Sequence, residues 1–188
     1  MNAIRNDRHY TYADYMTWGE DVRCEIIDGV VYDMAPGPSA GHQTISGEIY
    51  SQIKNSLKGT PCKVFFAPFD VRLGGLGDED DTVVQPDLVV VSDKSKIDEK
   101  GCNGAPDIIV EVLSPSTSSR DKFLKFQLYL RAGVREYWVV DPVDKIVSAY
   151  VLRDGEYIAS AYGENDTAPV RTLSGCSIIL ADVFNETD

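Results

Sequence analysis

Two short apolar runs, LVVV at 88–91 and IIVEV at 108–112, constrain this chain more than anything else in it. Val, Ile and Leu in unbroken runs of this length, bounded by Pro, Asp and Ser, read as β-strands. Each run carries a carboxylate: Asp87 in QPDLVVV and Glu111 in PDIIVEVL. Burying such a group costs several kcal/mol unless its charge is compensated, and where two converge a divalent cation is the usual compensation. The pair predicts a metal site.

The stretch after Glu111 sharpens that expectation. Ser114-Pro115-Ser116-Thr117 is a helix-start signal, and RDKFLKFQLYLRAG after it closes on Gly133, the expected C-terminal stop. On a helical wheel Phe123, Phe126, Leu128, Leu130 and Ala132 flank Lys122 and Lys125, while Leu124, Gln127 and Arg131 share the opposite arc. Both lysines are therefore expected on the face that packs against the sheet. An inward lysine one strand-to-helix turn after an inward carboxylate needs a partner.

The remaining elements fall in order around this unit. Thr11 to Asp14 caps a short first helix, and EII and VVY flank Asp28-Gly29 as a hairpin. A helix from about 40 to 57 carries Ile45, Ile49, Ile53 and Leu57 as one stripe. Strands are predicted at KVFFAPFDVRL, VVQPDLVVV, DIIVEVL and EYWVVD, and a second hairpin joins KIVSAYVL to EYIASAY ahead of a short strand at SIIL. The core order is α-β-β-β-α-β, an α/β domain with a mixed β-sheet and hairpins added at both ends, spanning 1–188 as a single unit.

Composition bounds the function. The 188 residues hold 43% hydrophobic and 26% charged side chains, as in ordinary globular proteins. No apolar run is long enough for a membrane span and the first twenty residues carry no signal-peptide core, so no membrane partner and a cytoplasmic location are expected. Cys24, Cys62, Cys102 and Cys176 form no CxxC pair and the only histidines are His9 and His42, which argues against zinc and disulfides. A net charge of −12 is unfavourable for binding phosphate backbones. The local exception is 118–135, where Arg120, Lys122, Lys125, Arg131 and Arg135 face Asp121 alone, a local +4. Lys122 and Arg120 are the candidate substrate-binding cations, although a solvated helix face explains the arginines equally well. The acidic run 78–81 is expected to be an exposed loop.

The strings EIIDGVVYDMAP, GHQ, FDVRL, TVVQPDLVVV, GAPDIIVEVLSPST and RDKFLKFQLYLRAGVREYWVVDP resemble, in order and spacing, the Uma-two family within the PD-(D/E)XK nuclease superfamily. The resemblance implies a restriction-endonuclease-like fold and a metal-dependent endonuclease that hydrolyses phosphodiester bonds, with DNA as the substrate. It implies Asp87 and Glu111 as ligands for Mg²⁺, with Mn²⁺ as the alternative, and Lys125 as the catalytic lysine. The superfamily's usual lysine position is Leu113 here, which is expected to pack in the core. Glu25 and His42 are supporting candidates by the same resemblance, and cleavage of both strands of a duplex favours a homodimer.

Each candidate has a plainer reading. Asp87 after Pro86 suits a strand turn, Glu111 suits a structural ion pair with Lys125, and His42, near the apolar stripe, suits a hydrogen-bonded core histidine. Asp107 at a strand start is expected to be structural. The alternative function is a non-catalytic interaction protein that retains the nuclease fold. The −12 charge and the lack of any reader domain favour it, whereas the buried charges Asp87, Glu111 and Lys125 oppose it.

Overall fold

A computed structural model describes residues 8–19, 22–34, 37–114 and 119–185, with the side chains of 119–121 outside that description. Its elements are, in chain order, α1 (Tyr12–Tyr15), β1 (Cys24–Ile27), β2 (Val30–Asp33), α2 (Ala40–Ser56), β3 (Lys63–Phe66), β4 (Val71–Arg72), β5 (Val83–Val84), β6 (Leu88–Val91), β7 (Ile97–Asp98), β8 (Gly101–Asn103), β9 (Ile108–Val112), α3 (Ser119–Ala132), β10 (Glu136–Asp141), β11 (Ile146–Arg153), β12 (Glu156–Gly163), β13 (Thr167–Pro169), β14 (Ser177–Ile179) and α4 (Leu180–Asn185).

The large sheet has the order β12-β11-β10-β9-β6-β3. Only β9 and β10 run parallel in it, joined by the α3 crossover, so the sheet is mixed. The succession α2-β3-β6-β9-α3-β10 is the expected α-β-β-β-α-β core. Strand alternation assigns its two faces. Leu88, Val90, Ile108, Val110 and Val112 pack with Ile45, Ile49 and Ile53 of α2. Val89, Val91 and Ile109 pack with Leu128 and Tyr129 of α3. At about 25 cal/mol per Å² of apolar area, two covered faces supply the main drive for folding.

Two of the expected strands are each divided between sheets. KVFFAPFDVRL splits around Pro68 into β3 and β4, and VVQPDLVVV splits around Pro86 into β5 and β6. Proline has no N–H for a ladder, so the chain turns there. β4 and β5 go to a smaller sheet, β2-β1-β5-β4-β8-β7, that incorporates the N-terminal hairpin. Asp28 and Gly29 at that hairpin's turn take φ of 51° and 74°, the backbone that a two-residue turn requires. The C-terminal hairpin β11–β12 instead extends the large sheet, and the SIIL strand pairs with β13.

Three expectations are corrected. Phe123 is exposed and Leu124 packs inward, because the buried face of α3 centres on Lys125, Leu128, Tyr129 and Ala132 rather than on the arc through Phe123. Lys122 accordingly lies exposed. In the acidic run, Asp80 is only 1% exposed: its carboxylate accepts from the N–H groups of Leu76 and Thr82 and so builds the turn. The helix-start residues 115–118 lie outside the described residues. The described cysteines are all free thiols, and among the described residues no helix is long and apolar enough to cross a membrane.

Candidate active site

The register places the two carboxylates. Leu88 pairs with Val110 across the antiparallel β6–β9 ladder, so one step further sets Asp87 opposite Glu111. Both fall on the odd-numbered, α3-facing side of their strands. Asp87 sits just outside β6, after Pro86, and Oδ2 accepts from the Val112 N–H at 2.7 Å. The ladder's last donor thus binds a side chain rather than a carbonyl.

Glu111 is held from α3. Its Oε1 accepts from Lys125 Nζ at 2.9 Å and from the Tyr129 hydroxyl at 2.7 Å. Lys125 and Tyr129 stand four residues apart, one above the other on one helix face. Lys125 Nζ also donates to Glu25 Oε1 at 3.0 Å. Glu25 reaches in from β1 of the smaller sheet, 6% exposed, and the same Oε1 accepts from the Gln85 N–H at 3.0 Å. From α2, His42 Nε2 lies 3.0 Å from the Val112 carbonyl and 3.2 Å from Asp87 Oδ2. Both neighbours are acceptors, so Nε2 carries the proton. The buried Nδ1 has no hydrogen-bond partner among the described residues.

Four elements and the turn residue ahead of β6 therefore deliver Glu25, His42, Glu111, Lys125 and Asp87 to one cluster. All but Glu25 line a cavity of about 860 Å³ that also takes in Tyr15, Trp18, Arg23 and Gln85. Of the other candidates, Lys122 lines a neighbouring cavity of about 510 Å³ that shares His42 and Ser114 with the first. The Arg120 side chain lies outside the described residues. Leu113 is half-buried rather than in the core and faces that second cavity, a correction that follows from its place one residue beyond the end of β9. Arg131 and Arg135 are tied to Asp28 and Asp107. Asp107 also accepts from the Ser92 N–H and hydroxyl, a structural role.

The charges act strongly on one another. Burial pushes the Glu111 carboxyl up; Lys125 pulls it back, and the Asp87 and Glu25 charges raise it again, to about 7. Burial alone would lower the Lys125 ammonium, but Glu111 and Glu25 more than offset this and hold it well above its ordinary range. His42 is raised chiefly by its hydrogen bond to Asp87, against a downward pull from burial. Burial and the Glu111 charge raise Tyr129, which stays a neutral donor.

These residues fit a hard divalent cation bound through few protein ligands. Among the described residues no group of three or more His, Cys, Asp or Glu is assembled for a metal. Two facing carboxylates remain, and among the described residues the hydrogen bonds that fix their side chains use Asp87 Oδ2 and Glu111 Oε1. Mg²⁺ characteristically binds one or two carboxylates and keeps several waters.

Tyr129 and Gln85 escape a reading of the sequence as partners in this cluster. For Tyr129 a signal exists, its spacing of four from Lys125. For Gln85 there is none, since its contribution is a backbone N–H freed at the turn before Pro86.

A mixed sheet with paired carboxylates on adjacent central strands and a lysine on the crossover helix defines a restriction-endonuclease-like α/β protein. The family model described as "Uma2: Putative restriction endonuclease" matches residues 12–181, and the chain belongs to that family. It is 27% identical over 164 residues to "Uncharacterized protein slr1290" of Synechocystis sp., covering 85% of this chain and 84% of that protein. The crystal structure of "a putative nuclease belonging to DUF820" from Anabaena variabilis superimposes with a TM-score of 0.75 at 23% identity, covering 95% of this chain and 99% of the other. At that identity the likeness establishes the fold.

Proposed function

We propose that this chain is a metal-dependent endonuclease that hydrolyses phosphodiester bonds, with DNA as its substrate. The observation that carries the reading is the convergence of Asp87 and Glu111 on the wall of one cavity, with Lys125 hydrogen-bonded to Glu111 at 2.9 Å. The family's description, "Putative restriction endonuclease", and the shared fold of the Anabaena protein titled "a putative nuclease" point the same way.

Asp87 and Glu111 would hold the cation, Mg²⁺ or Mn²⁺. A cation bound there supplies Lewis-acid stabilisation of phosphoryl oxygens and lowers the pKa of water. The three carboxylates Glu25, Asp87 and Glu111 against the Lys125 ammonium leave a charge of −2 when His42 is neutral, matching one divalent ion. Lys125 stays an ammonium, so it serves as a donor and positive charge toward the attacking water or the phosphoryl oxygens rather than as a base. His42 fixes Asp87 by donating to Oδ2. Lys122, exposed on the same helix, would meet backbone phosphate, and a homodimer would bring two sites to the two strands of a duplex.

The test is cleavage of single- and double-stranded DNA and of RNA with Mg²⁺ or Mn²⁺, comparing the parent chain with Asp87→Ala. DNA cleavage that needs the metal and disappears in the variant is the expected result. No cleavage across substrates and metals overturns the reading in favour of a non-catalytic interaction protein, which the −12 charge favours.

A further inference from the structure

Lys125 is bonded to the carboxylate that the proposed cation requires. Its ammonium donates to Glu111 Oε1 at 2.9 Å and to Glu25 Oε1 at 3.0 Å, so in the free protein one lysine is divided between two carboxylates. The two carboxylates are not equivalent. Glu111 faces the cavity and has a second oxygen that Lys125 does not engage, whereas Glu25 is not among the residues lining it. Glu25 is fixed in the smaller sheet: β1 pairs with both β2 and β5, and the Gln85 N–H holds the same oxygen that Lys125 uses. Its side chain is 8% exposed, against 12% for Glu111 and 20% for Lys125.

We infer that Glu25 is a positioning residue that retains the Lys125 ammonium when a divalent cation engages Glu111. This inference rests on the metal-dependent reading of the site. The physical argument is competition. A cation at Glu111 withdraws charge from the lysine and repels it, and an ammonium with no other partner would either resist the cation or swing out of the cluster. Glu25 offers a full negative charge on a carboxylate anchored by a backbone donor and by strand pairing, so Lys125 stays beside the reacting groups with Glu111 released. Without that charge, Lys125 leans on Glu111 alone and the cation must displace it.

The competition can be measured without turnover. Mn²⁺ binding is followed by calorimetry or electron paramagnetic resonance for the parent chain, Glu25→Gln, Lys125→Met and the double variant, with circular dichroism to confirm that each is folded. Gln at 25 keeps the oxygen acceptor and the shape but loses the charge, and Met at 125 keeps the apolar stem. Glu25→Gln should weaken Mn²⁺ about tenfold or more when Lys125 is present, as loss of an outer-shell partner typically does. The same change should cost less than about twofold in the Lys125→Met background, because there is no ammonium left to retain. Equal losses in both backgrounds would overturn the inference and make Glu25 a ligand or a simple field effect. No Mn²⁺ binding by the folded parent chain would instead remove the metal reading itself, and this inference with it. Should Lys125→Met fail to fold, Lys125→Gln in the same cycle decides by the same comparison.

Discussion

Glu111 and Glu136 are both glutamates on strands of the large sheet, the first half-buried and the second fully buried, and their surroundings separate their roles. Glu136, 0% exposed, accepts from Trp138 Nε1, from the Arg171 and Thr172 N–H groups and from the Thr172 hydroxyl. These four donors engage both of its oxygens, two on each. Glu111 has a lysine, a tyrosine and, across the ladder, another carboxylate. Because burial and the neighbouring carboxylates hold its carboxyl above the roughly 4.3 of an unfolded chain, the folded state binds the extra proton over the intervening pH range. Stability from this group is therefore present below the unfolded value and lost as pH rises through the folded one. Glu111→Gln should remove that loss: thermal melts should show the variant at least as stable as the parent at pH 8, with the parent regaining ground at pH 5. Mg²⁺ or Mn²⁺ should raise the parent's melting temperature at pH 8 and leave the variant unmoved. A variant equally destabilised at both pH values would contradict the assignment of Glu111 as a strained, cation-seeking carboxylate.

At the scale of the element, α3 carries two lysines one turn apart with opposite fates. Lys125 is drawn under the helix by Glu25 and Glu111, while Lys122 is exposed beside the second cavity. Cleavage kinetics should separate them. Lys125→Met should lower kcat by about 10²–10³-fold, the typical cost of one stabilising donor at a developing charge. Lys122→Ala should raise KM with little change in kcat, and the rise should shrink as salt is added. The reverse pattern would move the catalytic role one turn toward the N-terminus. The wheel placed both lysines inward because hydrophobic periodicity fixes a helix's buried face only to within about one residue's rotation. Phe123 and Leu124 mark that error: one apolar side chain is exposed and its neighbour packed.

For the whole molecule, the acidic balance sets how nucleic acid is met. A chain of −12 has no broad excess of positive charge, and Arg131 and Arg135 are engaged with Asp28 and Asp107. Among the described residues, the cations at the two cavities are Arg23, Lys122, Lys125 and Lys145, of which Lys145 is paired with Glu164. About three phosphate contacts correspond to a slope near −3 in log K against log salt concentration, far shallower than about −10 for a broad basic interface. Fluorescence anisotropy with a DNA duplex in Ca²⁺, between about 50 and 200 mM salt, tests this. A slope steeper than about −6 would mean that a larger basic face takes part.

The residues 87–91 and 108–112 determine by themselves two buried strands, one entered from Asp87 and the other carrying Glu111, because an apolar run and a carboxylate at or within it are local properties of a chain. The helix stripe Ile45, Ile49, Ile53 and the hairpin at Asp28-Gly29 are legible for the same reason: their signals lie within a few residues. The division of two apparent strands at Pro68 and Pro86 between two sheets could not be read, since where a chain goes after a turn depends on what receives it. Glu25 shows the consequence. On its hairpin it is one charged residue alternating with Ile26, and nothing nearby names its partner. Only the smaller sheet, folded against α3, brings it within 3.0 Å of a lysine 100 positions away. A hydrogen bond acts through space over a few ångströms, and such separations are set by tertiary packing rather than by distance along the sequence.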